Sequence, residues 1–247
     1  MKSLLALDMG NSGLKGALFS GQKITGRFRF TVNESGDAGP ELIRRFSPEG
    51  IVFCSVVPGW TGTLLSQAER AGEKRILQVN SDSTLPFQLM VDSPETLGAD
   101  RICAAAGARA GGAKEAVIVD IGTAVTVDLL SSRGFEGGAI FPGIRTALDS
   151  LGRSAAALPV IDYSGGGQAP SRLPGSSTEK AIKAGTYWGI AGAMDKLVEM
   201  TARAAGTRPE IYLTGGWAGE FKDAVSFPFI HEPDLVFRGL ELIFYNS

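Results

Sequence analysis

The sequence predicts an α/β fold built from two similar halves that face a shared cleft. Three observations predict it. Residues 116–128, AVIVDIGTAVTVD, read as a strand covered on both faces, an Asp at its end, a Gly-Thr turn and a second β-rich run. Residues 4–15, LLALDMGNSGLK, carry the same grammar half a chain earlier and put Asp8 and Asp120 in equivalent places. The stretch from residue 3 to residue 79 then orders its elements β-β-β-α-β-α-β, a unit distinct from the dinucleotide-binding one. A single Asp-x-Gly after a strand is also an ordinary turn. Two copies, each closing a strand where open α/β sheets place ligand chemistry, point to function.

The elements follow in order. Residues 3–8 and 14–19 read as a hairpin around Met9-Gly10-Asn11-Ser12-Gly13, and 24–31 as a third strand. Such a turn offers backbone N–H groups, Asn11, Ser12 and Lys15 to a phosphate, and is equally a plain hairpin turn. A helix near 39–46, a buried strand at 50–54, a helix near 60–71 and a short strand at 75–79 complete the stretch. The Ala-rich run 99–110 is a strong helix former, which puts Asp100 and Arg101 in its first turn. The macrodipole explains an Asp there but disfavours an Arg. A carboxylate beside a substrate hydroxyl can act as general base, and a guanidinium can hold an anionic group.

Further on, residues 134–143, GFEGGAIFPG, are spaced like a loop folded against a ligand, or like a hairpin end and a helix start. A helix over about 144–157 and a Gly/Pro/Ser-rich surface loop at 163–177 come next. A long helix from Thr178 to Ala205 contains Gly185, Gly189 and Gly192, a spacing that suggests close packing against another backbone, across a dimer interface for example. Residues 211–214 form a strand ending in a Gly215-Gly216 turn suited to a nucleotide. Residues 231–246 read as a closing amphipathic helix with a Pro-Asp start.

Composition narrows the function classes. With 247 residues, 44% of them hydrophobic, the chain can bury a large core. A net charge of −2 without a basic block argues against nucleic acid and anionic membranes. No apolar run approaches the roughly 18 residues of a membrane span, and the N-terminal run stops at Asp8, so neither a span nor a signal peptide is expected. Cys54 and Cys103 are too few and too far apart for a secreted disulfide framework, and there is no Cys-x-x-Cys or His cluster for zinc. The expectation is a soluble cytoplasmic protein. The single histidine, His231, lies in an apolar context and reads as structural. The dinucleotide and P-loop glycine signatures are absent.

Four motifs in this order resemble the type III pantothenate kinase family: Asp-x-Gly-Asn-Ser at 8–12, Gly-Ala-Asp-Arg at 98–101, Asp-x-Gly-Thr-Ala-x-Thr at 120–126 and Gly-Gly-x-Ile-x-Pro-Gly at 137–143. Ala157-Leu158-Pro159, the 178–185 segment and the His-Glu-Pro-Asp-Leu-Val run from His231 fit as well, so the resemblance spans nearly the whole chain. It implies a duplicated ribonuclease-H-like fold of the sugar-kinase, heat-shock-ATPase and actin superfamily, with halves at 1–112 and 113–247. It also implies ATP-dependent phosphorylation of pantothenate, the first step of coenzyme A synthesis, by a cytoplasmic homodimer that uses Mg²⁺ and a monovalent cation, K⁺ or NH₄⁺.

By that resemblance Asp8, Met9, Gly10, Asn11, Ser12, Gly13, Leu14 and Lys15 form the first phosphate loop, with Asp8 near Mg²⁺, and Thr123 contacts ATP. Asp120 ligates the monovalent cation. Gly98, Ala99, Asp100 and Arg101 hold pantothenate, with Asp100 as proton acceptor, and Thr178 completes the pocket. The family usually carries a Tyr and an Asn where this chain has Val91 and Ser93, a departure that bears on pantothenate affinity rather than on phosphoryl chemistry. Two other readings keep the scaffold: a catalytically silent regulatory or accessory protein, and a kinase or phosphatase acting on another small hydroxy acid. Asp128 has no assigned role and reads as structural.

Overall fold

The computed structural model describes residues 3–32, 35–70, 75–155, 157–163 and 173–247. Contacts divide the chain into two compact units. The first comprises Met1–Ala113, Arg133–Phe135 and Asp234–Ser247, and the second Lys114–Ser132 and Glu136–Pro233.

Unit 1 holds strands β1 (Ser3–Gly10), β2 (Gly13–Ser20), β3 (Lys23–Thr31), β4 (Gly50–Ser55) and β5 (Ile76–Gln78), with helices α1 (Ser35–Phe46), α2 (Pro58–Arg70) and α3 (Ala99–Ala110). Its sheet runs β3-β2-β1-β4-β5. The β1–β2 and β2–β3 pairs are antiparallel, and β4 and β5 join parallel on the other side. Successive side chains of a strand point to opposite faces, and β1 buries both. Leu4 and Ala6 pack with Ile102, Cys103 and Ala106 of α3, while Leu5, Leu7 and Met9 pack with Leu42, Ile43 and Leu64 of α1 and α2. The exposed edge strand β3 alternates between solvent and the sheet's cover, as an edge strand should.

Unit 2 repeats the scheme. Its strands are β6 (Ala116–Ile121), β7 (Ala124–Leu130), β8 (Phe135–Pro142), β9 (Glu210–Thr214) and β10 (Ile230–His231), and its helices are α4 (Ile144–Ser154), α5 (Thr178–Ala205) and the one-turn α6 (Ala218–Phe221). Numbered within the unit, its sheet order β8-β7-β6-β9-β10 is the order of the first sheet. The central β6 again pairs antiparallel with its hairpin partner and parallel with the strand that follows the helices. Val117, Val119, Ile121, Val125 and Val127 build the core with Leu148, Tyr187, Met194 and Phe221. The Ser177 hydroxyl accepts from the Lys180 N–H to start α5, and Gly206, at φ 69°, ends it in the left-handed conformation glycine favours.

Helix α7 (Leu235–Asn246) closes the chain and packs in unit 1, on α3. The backbones meet closely: a Cβ on Gly239 would overlap the Cys103 carbonyl, and one on Gly107 the Leu235 carbonyl. The glycines that sequence spacing marked for close packing, Gly185, Gly189 and Gly192, meet no atom of the described residues within 4 Å of a Cβ position beyond their chain neighbours and their own helix backbone. Within the chain, that face of α5 packs against none of the described residues.

Of the two readings of 134–143, the structure has the hairpin end and helix start: residues 135–142 are strand β8, so the Gly137-Gly138 pair sits within a strand, and α4 begins at Ile144. Two other expectations change. The helix after Gly143 ends at Ser154, not Ala157. His231 belongs to the two-residue β10 and is exposed, and the last helix starts at Leu235 after Pro233-Asp234. Most of the expected 163–177 loop, residues 164–172, lies outside the described residues.

Candidate active site

Unit 1 sets the predicted residues Asp8 to Lys15 at the carboxyl end of β1 and the turn into β2. Asp8 is the sixth residue of β1, directly across from Lys15 on β2 and Cys54 on β4. By strand parity it shares the face of Leu4 and Ala6, the face that α3 covers. The Asp8 carboxylate is nearly enclosed, with Lys15 Nζ 3.6 Å from Oδ2. Between them the chain turns in two exposed residues, Asn11 and Ser12. Met9 and Leu14, assigned to the same loop, send their side chains into the core, so only their main-chain groups are open to a nucleotide. The end of β4 is tied down beside them by the Val56 N–H donating to the Met9 carbonyl at 3.1 Å.

Asp100 enters on the first turn of α3. Its carboxylate folds back onto the helix start and accepts from the Arg101 N–H at 2.9 Å. Gly98 makes room for this posture, since a Cβ there would lie 2.5 Å from Asp100 Oδ1. Burial pushes the Asp100 carboxyl above the usual Asp range, and the Asp8 charge pushes it further, against the Arg101 N–H and guanidinium, which pull it down. A raised carboxyl near another carboxylate is the electrostatic setting of a general base. The Arg101 guanidinium lies 5.4 Å from the Phe135 ring centroid, a cation–π contact that fixes its direction. Val91 is half-buried, between the bridge of Leu89 to Phe135 and the 3₁₀ turn Pro94–Thr96 that carries the chain from Ser93 toward Gly98.

Unit 2 holds Asp120, Thr123 and Thr178. Asp120 lies near the carboxyl end of β6 as Asp8 does in β1, across from Thr126 on β7 and Thr214 on β9. Gly215, at φ 98°, lies against it, and any side chain there would overlap Asp120 Oδ1 and the Ile121 backbone. Thr123 is exposed at the turn tip. Its carbonyl accepts from the Gly143 N–H at 3.0 Å and the Thr146 hydroxyl at 2.6 Å, which lock the turn to the start of α4. Thr178 is the exposed first residue of α5. Asp128 is buried on β7, in keeping with a structural residue.

Sequence reasoning passed over Cys54, Phe135 and Thr146. The register of β1 against β4 was the signal for Cys54, because it is the neighbour of Asp8 that the doubled motif leaves unmentioned. Phe135 and Thr146 are reached only through tertiary contacts.

The donor sets fit the ions implied by these motifs. Mg²⁺ that arrives with a nucleotide keeps its waters and takes one or two carboxylates, which is what Asp8 offers beside its turn. Asp120 offers a hard carboxylate oxygen, the donor type an alkali cation prefers.

The fold defines a class first. It matches a glucokinase from an Antarctic psychrotroph (TM-score 0.57, 11% identity, all of both chains). It also matches MreB5 of Spiroplasma citri (TM-score 0.51, 14% identity, 98% of this chain and 96% of the other). These are sugar-kinase and actin-like folds, and the chain has that duplicated ribonuclease-H-like architecture. A crystal structure described as a conserved Baf family transcriptional activator from Campylobacter jejuni is similar too (TM-score 0.63, 20% identity, 97% and 96% covered). The family is narrower. The type III pantothenate kinase profile matches residues 4–200. A type III pantothenate kinase of Dehalococcoides mccartyi is 30% identical over 98% of this chain and 97% of its own length. That of Zymomonas mobilis is 31% identical over 98% and 92%. The chain belongs to the type III pantothenate kinase family. Its reaction is the ATP-dependent phosphorylation of pantothenate in coenzyme A synthesis, with ATP taken as the complex of a divalent metal.

Proposed function

We propose that Asp100 is the general base of this kinase and that the Asp8 turn holds the phosphates it works beside. The observation that carries the reading is the Asp100 carboxyl, raised by burial and by the Asp8 charge within one unit. The pantothenate hydroxyl gives its proton to an Asp100 oxygen, its oxygen bonds to the γ-phosphorus, and the bond to the leaving ADP breaks. Such transfer is mostly positioning and charge neutralisation. Main-chain N–H groups from Gly10 to Gly13 and the Lys15 ammonium take the phosphate side, and Mg²⁺ supplies charge neutralisation when bound. Arg101, held over Phe135, faces the anionic end of pantothenate, with Gly98, Ala99 and Val91 of the same unit beside it, and Thr178 is assigned to the substrate as well. Thr123 contacts ATP and Asp120 ligates K⁺ or NH₄⁺.

We further assign a cytoplasmic homodimer with no nucleic-acid partner. Among the described residues no helix is long and apolar enough to cross a membrane. The exposed face of α5 with Gly185, Trp188, Gly189 and Gly192 offers an apolar surface for a second copy.

A coupled ADP-release assay with Mg-ATP and pantothenate, run in potassium and again in sodium, tests the reading. Pantothenate-dependent turnover that needs potassium is the expected result. Nucleotide binding without turnover in either salt would replace the base assignment with an accessory role.

A further inference from the structure

The Asp8 carboxylate has a second partner that no motif names. Cys54 Sγ lies 3.7 Å from Asp8 Oδ1, within range of an S–H···O hydrogen bond. With Lys15 Nζ on Oδ2, the two oxygens of Asp8 are each held by one donor, one neutral and one charged. Cys54 sits beside Asp8 in the parallel β1–β4 register, and its neighbours Val52 and Ala6 show that both side chains point to the α3 face.

The thiol is fully enclosed. On α3 it meets Cys103, which lies one helical turn beyond Asp100. A cysteine thiol carries one hydrogen, and the Sγ–Oδ1 contact assigns it to Asp8. A buried, protonated thiol of this kind is poorly placed for oxidation chemistry and well placed as a fixed donor.

The second unit supports the assignment independently. At the equivalent register position beside Asp120 stands Thr214, buried and also a side chain with a donor hydrogen. Both central aspartates thus have a small donor-bearing residue on the next parallel strand, although Cys and Thr share little else.

We propose that Cys54 is a positioning residue of the phosphate site: its S–H fixes the Asp8 carboxylate so that Oδ2 and the open lone pairs face the incoming Mg-ATP. The inference rests on the reading of Asp8 as part of the nucleotide phosphate loop.

The test compares Cys54→Ala with Cys54→Ser in the full chain. The two variants remove nearly the same volume, and only the serine keeps a donor. Mg-ATP affinity is read by calorimetry and KM for each substrate by turnover, with a thermal melt to show that both variants fold. Loss of one hydrogen bond to a charged group predicts that Cys54→Ala weakens Mg-ATP binding about tenfold. KM for pantothenate should stay within about twofold and Cys54→Ser should return most of the nucleotide affinity, because the effect runs through one contact. In an Asp8→Asn background the Cys54→Ala change should add less than about twofold.

Wild-type Mg-ATP affinity in folded Cys54→Ala would overturn the proposal. So would equal losses in the alanine and serine variants, or an undiminished loss in the Asp8→Asn background. A wild-type protein that binds Mg-ATP but releases no ADP with pantothenate would overturn the kinase mechanism and leave the Cys54 measurement standing. A wild type that does not bind Mg-ATP would overturn both.

Discussion

The two units share a strand order and an aspartate at the end of the central strand, but not the company that aspartate keeps. Asp8 faces a lysine and a thiol, and it is close enough to Asp100 for its charge to raise the cost of ionising Asp100. Asp120 faces two threonines, with the Gly215 backbone pressed against it. The same backbone frame therefore sets its aspartate beside a lysine, a thiol and a second carboxylate in one unit, and beside two threonine hydroxyls in the other. Duplication provides the geometry, and the residues at three register positions divide the chemistry.

The comparison breaks most visibly at Asp100. Asp100→Asn should lower kcat by about 10²–10⁴-fold, the range of a general base, with the melting curve intact. Full activity in that variant would end the assignment. The acid side of the pH–rate profile should report the same carboxyl. The base must be ionised, its proton is held more tightly than an ordinary Asp, and so kcat/KM falls on acidification at a pH above the usual Asp range. Asp8→Asn removes one cause of the shift, and the acid limb of its residual activity should move to lower pH. The stability sign follows from linkage. The folded state binds this proton more tightly than the unfolded state, so stability falls as pH rises through the window between the two pKa values and stays lower above it. Asp100→Asn should thus be as stable as the wild type at neutral pH, or more so.

The next effect is structural and confined to unit 1. Gly239→Ala forces a methyl group into the Cys103 carbonyl, which is backbone and cannot swing aside. A cost of about 3 kcal/mol or more is expected, read as a lowered midpoint in denaturant. Gly189→Ala on α5 meets open space and removes a helix-interior glycine, so it should leave the monomer as stable or slightly more stable by the same measurement. A destabilised Gly189→Ala would restore the packing role that the spacing of the α5 glycines suggested.

Unit 2 is tested through Asp120. Asp120→Asn keeps the shape and removes the charge, so activity in potassium should fall toward the sodium level, by about 10–100-fold if the carboxylate is a cation ligand. An unchanged potassium response would show that Asp120 is a packing partner of Gly215 and nothing more.

Much of this was legible in the residues because it is local. The Asp-x-Gly repeat located both strand ends, and the Ala-rich run placed Asp100 on the first turn of α3, within a residue of where it lies. Thr178–Ala205 was bounded correctly because a Ser precedes it and a Gly follows it. What could not be read is set across the chain. Residues 134–143 read equally as a ligand loop or as a hairpin end and helix start, because Gly137, Gly138 and Pro142 are poor strand formers, yet β8 is an edge strand of its sheet, where such residues are tolerated. His231 looked packed in its Phe-Ile-His setting, but a two-residue strand at a sheet edge leaves it in solvent. The α3–α7 contact joins Gly107 to a helix well over a hundred residues later, and nothing near either glycine announces the other.

The smallest expected effect lies at the start of α7, where the same helix that depends on Gly239 is also held by an ion pair. Arg27 on the edge strand β3 reaches Asp234 with two hydrogen bonds, 2.8 Å from Nε and 2.5 Å from Nη2. The geometry is bidentate, the favourable kind, but the Arg27 side chain is 59% exposed, so water and salt screen most of its attraction. Arg27→Ala should cost no more than about 1 kcal/mol, and less in high salt. Asp234 occupies the N-cap of α7 without making a side-chain cap, since its carboxylate is turned toward Arg27. Asp234→Asn gives up the ion pair but leaves a side chain able to cap the free N–H groups of the first turn, and the two changes oppose each other. Near-neutral stability is therefore expected for Asp234→Asn in equilibrium urea unfolding. A loss as large as that of Gly239→Ala would mean that charge, rather than backbone contact, holds α7 to unit 1.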